Sequence, residues 1–228
     1  MGLKQIISNF FWSPISSNEK VEKYQKIIRD KEWSEIKKYI PENSIFLDVG
    51  CGSGDNLLRA KGQLNCSVRG IDPAPGEQGV GRYVLSGLDG IKIDEGFAEK
   101  LPYEDETFDV VFCSHVLEHV NEEDKSLKEI RRVLKNDGIL IIGMPTALMA
   151  LISYFSIILF TTHINLLFFL KSFGKKDMIK RFRTIFIPIS HSYPRANTIY
   201  YDLLMYRVKR WEKVVSKNFE IKSKLQPY

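Results

Sequence analysis

The chain has 228 residues, with 33 Lys+Arg against 28 Asp+Glu and a formal net charge of +5. Hydrophobic residues make up 44% and charged residues 27%, which excludes wholesale disorder, collagen, coiled-coil arrays and a polytopic membrane protein. Three cysteines (Cys51, Cys66 and Cys113) are too few and too scattered for a disulfide framework or a zinc knuckle, so a reducing, cytoplasmic setting is expected. The charge is unevenly spread. Residues 171–228 hold 14 Lys+Arg and 4 Asp+Glu, whereas residues 1–170 hold 19 and 24. No formally charged residue stands between Asp137 and Lys171.

No cleavable signal peptide is read at the start, and Ile6 occupies the place where a myristoylation motif wants Ser or Thr. Leu3, Ile6, Ile7, Phe10 and Phe11 are spaced for a short amphipathic helix. From Asn18 to Pro41 a second amphipathic helix is expected, with Val21, Tyr24, Ile28, Ile36 and Tyr39 on one stripe. SIFLDVG (44–50) reads as a buried strand that stops at glycines. A helix over 56–64 and strands over 67–72, 90–94 and 108–115 follow. The pattern continues with a helix over 121–135 that stops at Asn136-Asp137-Gly138, and a strand over 138–144. Beyond the apolar block come an extended piece (184–189), a helix over about 198–217 and a terminal strand, FEIKSKL (219–225). Strands alternating with helices imply an α/β fold: a doubly wound, mostly parallel, Rossmann-like sheet with helices on both faces and an apolar helical insertion after strand five.

Most of the chemical information lies in Asp48-Val49-Gly50-Cys51-Gly52-Ser53-Gly54, between a strand and a helix. Glycines there let the backbone turn sharply and approach a ligand closely. Asp72, at the end of the second strand, is placed to accept hydrogen bonds from ribose hydroxyls. A dinucleotide loop wants Gly at the sixth position, where this chain has Asp55, and an acid there repels a pyrophosphate. A nucleoside ligand without phosphates, carrying positive charge, suits Asp48 and Asp55 better; S-adenosylmethionine meets both demands.

LDVGCGSG, GID (70–72), GFAEKLPYEDETFDVVFCSHVLEHV (96–120) and LKEIRRVLKNDGILII (127–142) together resemble class I S-adenosylmethionine-dependent methyltransferases of the type 11 group. The resemblance covers roughly 44–145. It implies that Asp48, Gly50, Cys51 and Gly52 line the methionine and ribose, and that Asp72 holds the ribose. By the same token the Ala98-Glu99 turn faces the adenine and Ser114-His115 lie under the methionyl portion. Phe97 stands where many relatives have an acid. His115 and His119 are four apart, but no further ligand is near, so no metal site is expected.

The block 147–170 is long enough as a helix to cross a bilayer, yet Thr161, Thr162, His163 and Asn165 interrupt it. Both its ends return to the same domain, which favours a hairpin or in-plane helix over a simple span. Lys171, Lys175, Lys176, Lys180, Arg181 and Arg183 follow at once, as expected of a surface meeting an anionic membrane. The competing reading is a lid touching only protein. Nucleic acid is disfavoured, because the adjoining stretch is too apolar for a phosphate groove.

Four regions are expected: an N-terminal helical segment (1–43), a cofactor-binding core (44–146), an apolar and basic lid or membrane-associating insertion (147–197), and a C-terminal helix and strand completing the core (198–228). The expected activity is methyl transfer from S-adenosylmethionine to an apolar or lipid-linked small acceptor, peripherally at the inner face of a membrane. His191, in the loop HSYPRAN, is the candidate catalytic base. The alternative is a non-catalytic adaptor of the same fold that binds a partner through 147–183.

Overall fold

The structure is a computed structural model and describes residues 18–75, 90–152 and 199–225. Helix α1 (Asn18–Ile36) runs into a short 3-10 turn, Lys37–Tyr39, and precedes strand β1 (Ile45–Val49). Then come α2 (Asp55–Leu64), β2 (Ser67–Asp72), β3 (Lys92–Glu95), β4 (Phe108–Ser114), α3 (Glu123–Val133) and β5 (Leu134–Gly143). Helical backbone resumes over 147–152, and α4 (Ile199–Met205) and α5 (Val208–Val215) complete the described elements.

The five strands form one sheet in the order β3-β2-β1-β4-β5. The pairs β1·β2, β1·β4 and β2·β3 are parallel, with Asp48 opposite Gly70 and Phe112. The chain winds outward from β1 in one direction and then crosses to its other side at β4. Ligands of such sheets collect at that reversal, beyond the carboxyl ends of the strands.

The chain divides into two compact units. Of the described residues, the first unit holds 18–75, 90–113, 132–141 and Leu225, and the second holds 114–131, 142–152 and 199–224. In the first, Trp33, Ile36 and Ile40 from α1 and its turn pack with Leu57 and Ala60 of α2 against Phe46, Val110 and Phe112 of the sheet. The rings of Phe46 and Phe112 stack with centroids 6.4 Å apart. Leu47, Val49 and Val111, alternating with them, are buried as well. Burial of both faces is why β1 and β4 read as continuous apolar runs. Removing a ring such as Phe46 from this layer costs about 3–5 kcal/mol.

Polar contacts fix the strands to one another. Asp109 Oδ2 accepts from Ile45 N–H at 2.8 Å, and Lys135 Nζ donates to Asp109 Oδ1 at 2.6 Å. Arg132 donates to the carbonyls of Tyr103 (2.7 Å) and Leu101 (2.9 Å) and to Asp105 (2.8 Å). At Gly70 a β-carbon would stand 2.7 Å from both Cys51 Sγ and Leu57 Cδ1, so only glycine lets these elements meet. Cys51, Cys66 and Cys113 are all buried, and none is in a disulfide.

In the second unit, Arg210 of α5 pairs with Glu123 of α3 and lies over the Trp211 ring, 4.4 Å from its centroid. Tyr206 and Trp211 are buried. Two C-terminal expectations need correction. The helix expected over about 198–217 is two helices, because the chain turns at buried Tyr206 and Arg207 takes an extended conformation (φ −69°, ψ 127°). FEIKSKL is not a strand: 219–225 pair with nothing in the sheet, and 220–225 are exposed. An alternating pattern is a local signal, but a strand also needs a partner for its backbone groups. The remainder of the expected insertion (153–197), the piece 184–189 and the helix before residue 18 lie outside the described residues.

Candidate active site

The loop after β1 is shaped by its glycines. Gly50, Gly52 and Gly54 have φ of 73°, 53° and 80°, a region that side chains with a β-carbon enter only at a cost. This alternation turns successive N–H groups inward. Gly50 and Cys51 donate to the Ile71 carbonyl at 2.7 and 3.2 Å, and Gly52 donates to Asp72 Oδ2 at 2.8 Å. Gly54 N–H donates to the Cys51 carbonyl, and the Gly54 carbonyl accepts from Leu58 N–H to begin α2.

Asp72 is thereby held at the mouth of β2. Its Oδ1 accepts from Ala74 N–H at 2.8 Å, so each carboxylate oxygen carries one backbone donor and keeps a lone pair for a ligand. The Asp72 carbonyl accepts from Gly96 N–H at 3.1 Å, which ties the turn after β3 to the same point. In that turn Ala98 is buried, Glu99 is half-buried, and Lys100 N–H closes onto the Phe97 carbonyl. The Phe97 side chain is 65% exposed.

Asp48 is the opposite case. It is buried, and Oδ2 has no hydrogen-bond partner among the described residues. Burial pushes its carboxyl well above the usual range; Arg29 and a hydrogen bond from Asn56 draw it down, and Glu32 and Asp72 oppose them. A buried carboxylate oxygen without a donor, with a second carboxylate nearby, is a place for a cation. The residues present therefore fit a positively charged nucleoside such as S-adenosylmethionine.

Two expectations change in detail. Asp55 is held by Arg59 (Nε to Oδ2, 2.8 Å), so it contributes less negative charge to the loop than its place in the sequence implies. Cys51 enters the loop through its backbone, while its thiol packs in the apolar core. Burial, then Asp48 and Asp72, raise that thiol far above the ordinary range, so it is no nucleophile.

In the second unit, Ser114 closes β4 and His115 follows it with φ of 56°. His115 N–H donates to the Gly143 carbonyl at 2.9 Å. No group of metal-ligating side chains occurs among the described residues. His191 lies outside them. Sequence reasoning passed over Trp33, Asn56 and Glu118; for Glu118 the only signal was its place between two histidines.

Residues 47–142 match the family described as methyltransferase domain. The chain is 35% identical over 105 residues to the sterol 4-C-methyltransferase of Caenorhabditis elegans, covering 45% of this chain and 31% of that protein. It is 32% identical over 112 residues to a ubiquinone/menaquinone biosynthesis C-methyltransferase of Campylobacter jejuni, covering 46% of each. It is also 36% identical over 98 residues to the norajmaline N-methyltransferase of Rauvolfia serpentina, covering 41% and 32%. The chain thus spans about a third to a half of the length of the curated relatives it matches. Among solved structures, a SAM-dependent methyltransferase of Thermotoga maritima superposes with a TM-score of 0.53 at 18% identity, covering 92% of this chain and 80% of that one, which shows a shared fold.

The glycine loop and Asp72 both lie within the stretch that matches the methyltransferase domain, at the carboxyl ends of adjacent strands of the sheet.

Proposed function

We propose that the chain transfers a methyl group from S-adenosylmethionine to an apolar or lipid-linked small molecule. The unpartnered carboxylate of Asp48, beside Asp72 and the glycine loop, carries the cofactor half of this reading. When bound, S-adenosylmethionine supplies a methyl group on a positively charged sulfur. The chain's own part is to hold donor and acceptor in line, which contributes several kcal/mol. Gly50, Cys51 and Gly52 offer backbone to the methionine and ribose, Asp48 faces positive charge, and Asp72 receives ribose hydroxyls. Ala98 and Glu99 serve the adenine, and Ser114 and His115 the methionyl side.

The acceptor half rests on apolar surface in the second unit. Leu148 and Ile152, where the uncharged block begins, are 63% and 58% exposed, and Leu204 and Val208 are exposed too. Two of the relatives are named for a sterol and for ubiquinone/menaquinone biosynthesis, both apolar products. No described helix is long and apolar enough to cross a membrane. Contact with an anionic membrane surface through 147–183, at its cytoplasmic side, supplies such an acceptor without a span.

Titration calorimetry with S-adenosylhomocysteine tests the cofactor half: saturable heat is expected, and none at about 1 mM ligand overturns it. Methyl-tritiated S-adenosylmethionine incubated with cell extract should label an organic-extractable product, identified by mass. Binding without any turnover would favour the adaptor. Sedimentation with phosphatidylglycerol liposomes, abolished by deleting 147–170, is expected for membrane contact; indifference to liposomes favours the lid.

A further inference from the structure

Glu118 is fully buried, and neither of its carboxylate oxygens has a hydrogen-bond partner among the described residues. Such a group costs free energy unless a positive charge or a proton stands against it. Two imidazoles flank it: His115 Nδ1 lies 3.4 Å from Oε1, and His119 Nε2 lies 4.0 Å from the same oxygen. His115 is the nearer, and its place is special. It follows the last residue of β4, and its left-handed backbone is fixed by the bond to the Gly143 carbonyl. A residue with a β-carbon enters that region at about 1–3 kcal/mol, a cost that tends to be kept where it aims a side chain. The ring is one-third exposed, and Nδ1 is its atom within ion-pair distance of the buried carboxylate, close but not aligned as a hydrogen bond. Nε2 is then the nitrogen left to receive a proton.

We propose that His115 is the proton-accepting residue of methyl transfer and that Glu118 is its positioning residue, keeping the ring proton on Nδ1. The inference rests on the activity proposed above. The acceptor's oxygen or nitrogen gives its proton to Nε2 while its lone pair forms the bond to the methyl carbon. The electron pair of the broken carbon–sulfur bond stays on sulfur, and the imidazolium returns its proton to solvent. A buried carboxylate beside Nδ1 both sets the tautomer and faces the charge that forms, the logic of acid–histidine pairs in acyl transfer. His119 lies farther from the carboxylate and is the more exposed ring.

Long-range proton–nitrogen NMR of the uniformly nitrogen-15-labelled full chain, above the usual imidazole range, reads the tautomer directly. The His115 signal is assigned by its loss in His115→Gln. The expected wild-type ring carries its proton on Nδ1, and Glu118→Gln moves the majority to Nε2. A wild-type proton on Nε2, or a tautomer balance unchanged by Glu118→Gln, overturns the pairing. In the tritium-transfer assay, His115→Ala should lose about 10²–10⁴-fold in rate at saturating donor, and free imidazole should restore part of it. An undiminished rate, or no response to imidazole, overturns the role as base. If the wild type transfers no label at all, the activity proposal fails while the tautomer result still stands.

Discussion

The ends of β1 and β2 carry the same side chain in opposite states. Asp72 has a backbone N–H on each oxygen and is ready to hold more. Asp48 is buried with one oxygen unpartnered and its carboxyl raised. The first acid helps to build the loop, whereas the second is a standing cost that a bound cation relieves. The contrast teaches that equal charge at neighbouring strand ends can serve construction in one place and recognition in the other.

The strongest way to break that contrast is Asp72→Ala, which strands the N–H groups of Gly52 and Ala74. A loss of about 2–4 kcal/mol in chemical unfolding and at least a hundredfold loss of S-adenosylhomocysteine affinity are expected. Full stability would show that the loop does not depend on this carboxylate. Asp48→Asn should separate the two roles instead. Affinity is expected to fall about tenfold, while the ligand-free protein gains about 1–2 kcal/mol, or about 2–8 °C in melting temperature.

The sign follows from the raised carboxyl. Asp48 takes up its proton more readily in the folded chain than in the unfolded one. It therefore destabilises the fold as pH rises through its folded value and ceases to do so below the ordinary carboxylate range. The advantage of Asp48→Asn should grow as pH rises above the ordinary carboxylate range and vanish below that range in pH-dependent melting curves. Wild-type affinity for the cationic ligand should fall as the solution is acidified. Asp109 gives the smallest effect and the opposite sign. Burial raises its carboxyl, but Lys135 and the Ile45 N–H outweigh that and hold it below its ordinary value. Its stabilisation is present above the ordinary carboxylate range and lost as pH falls through the depressed value. Asp109→Asn should cost about 1 kcal/mol at pH 7 and less in acid, modest because the pair is partly exposed.

Much of this was legible in the sequence. Strands β1 and β4 announce themselves because both faces are buried, and the glycine loop because its backbone admits few other residues. The break at Tyr206-Arg207 was not, since the amphipathic pattern runs on through it. Nor was the fate of 219–225, which depends on a partner that no local pattern contains. Asp48 could be picked out as an acid near the ligand, but its missing donor is a property of packing. The pairing of Asp55 with Arg59 and of Glu118 with His115 likewise appears only when helix turns and strand ends are built.

The burial of every cysteine in the chain has a practical consequence. A thiol introduced at Leu148 or Ile152, both exposed, would be the one site open to a maleimide dye under native conditions. No native cysteine would have to be replaced, so the core layer around Cys51 and Cys66 would stay as it is. An environment-sensitive fluorophore there would turn the start of the apolar block into its own reporter of what it touches.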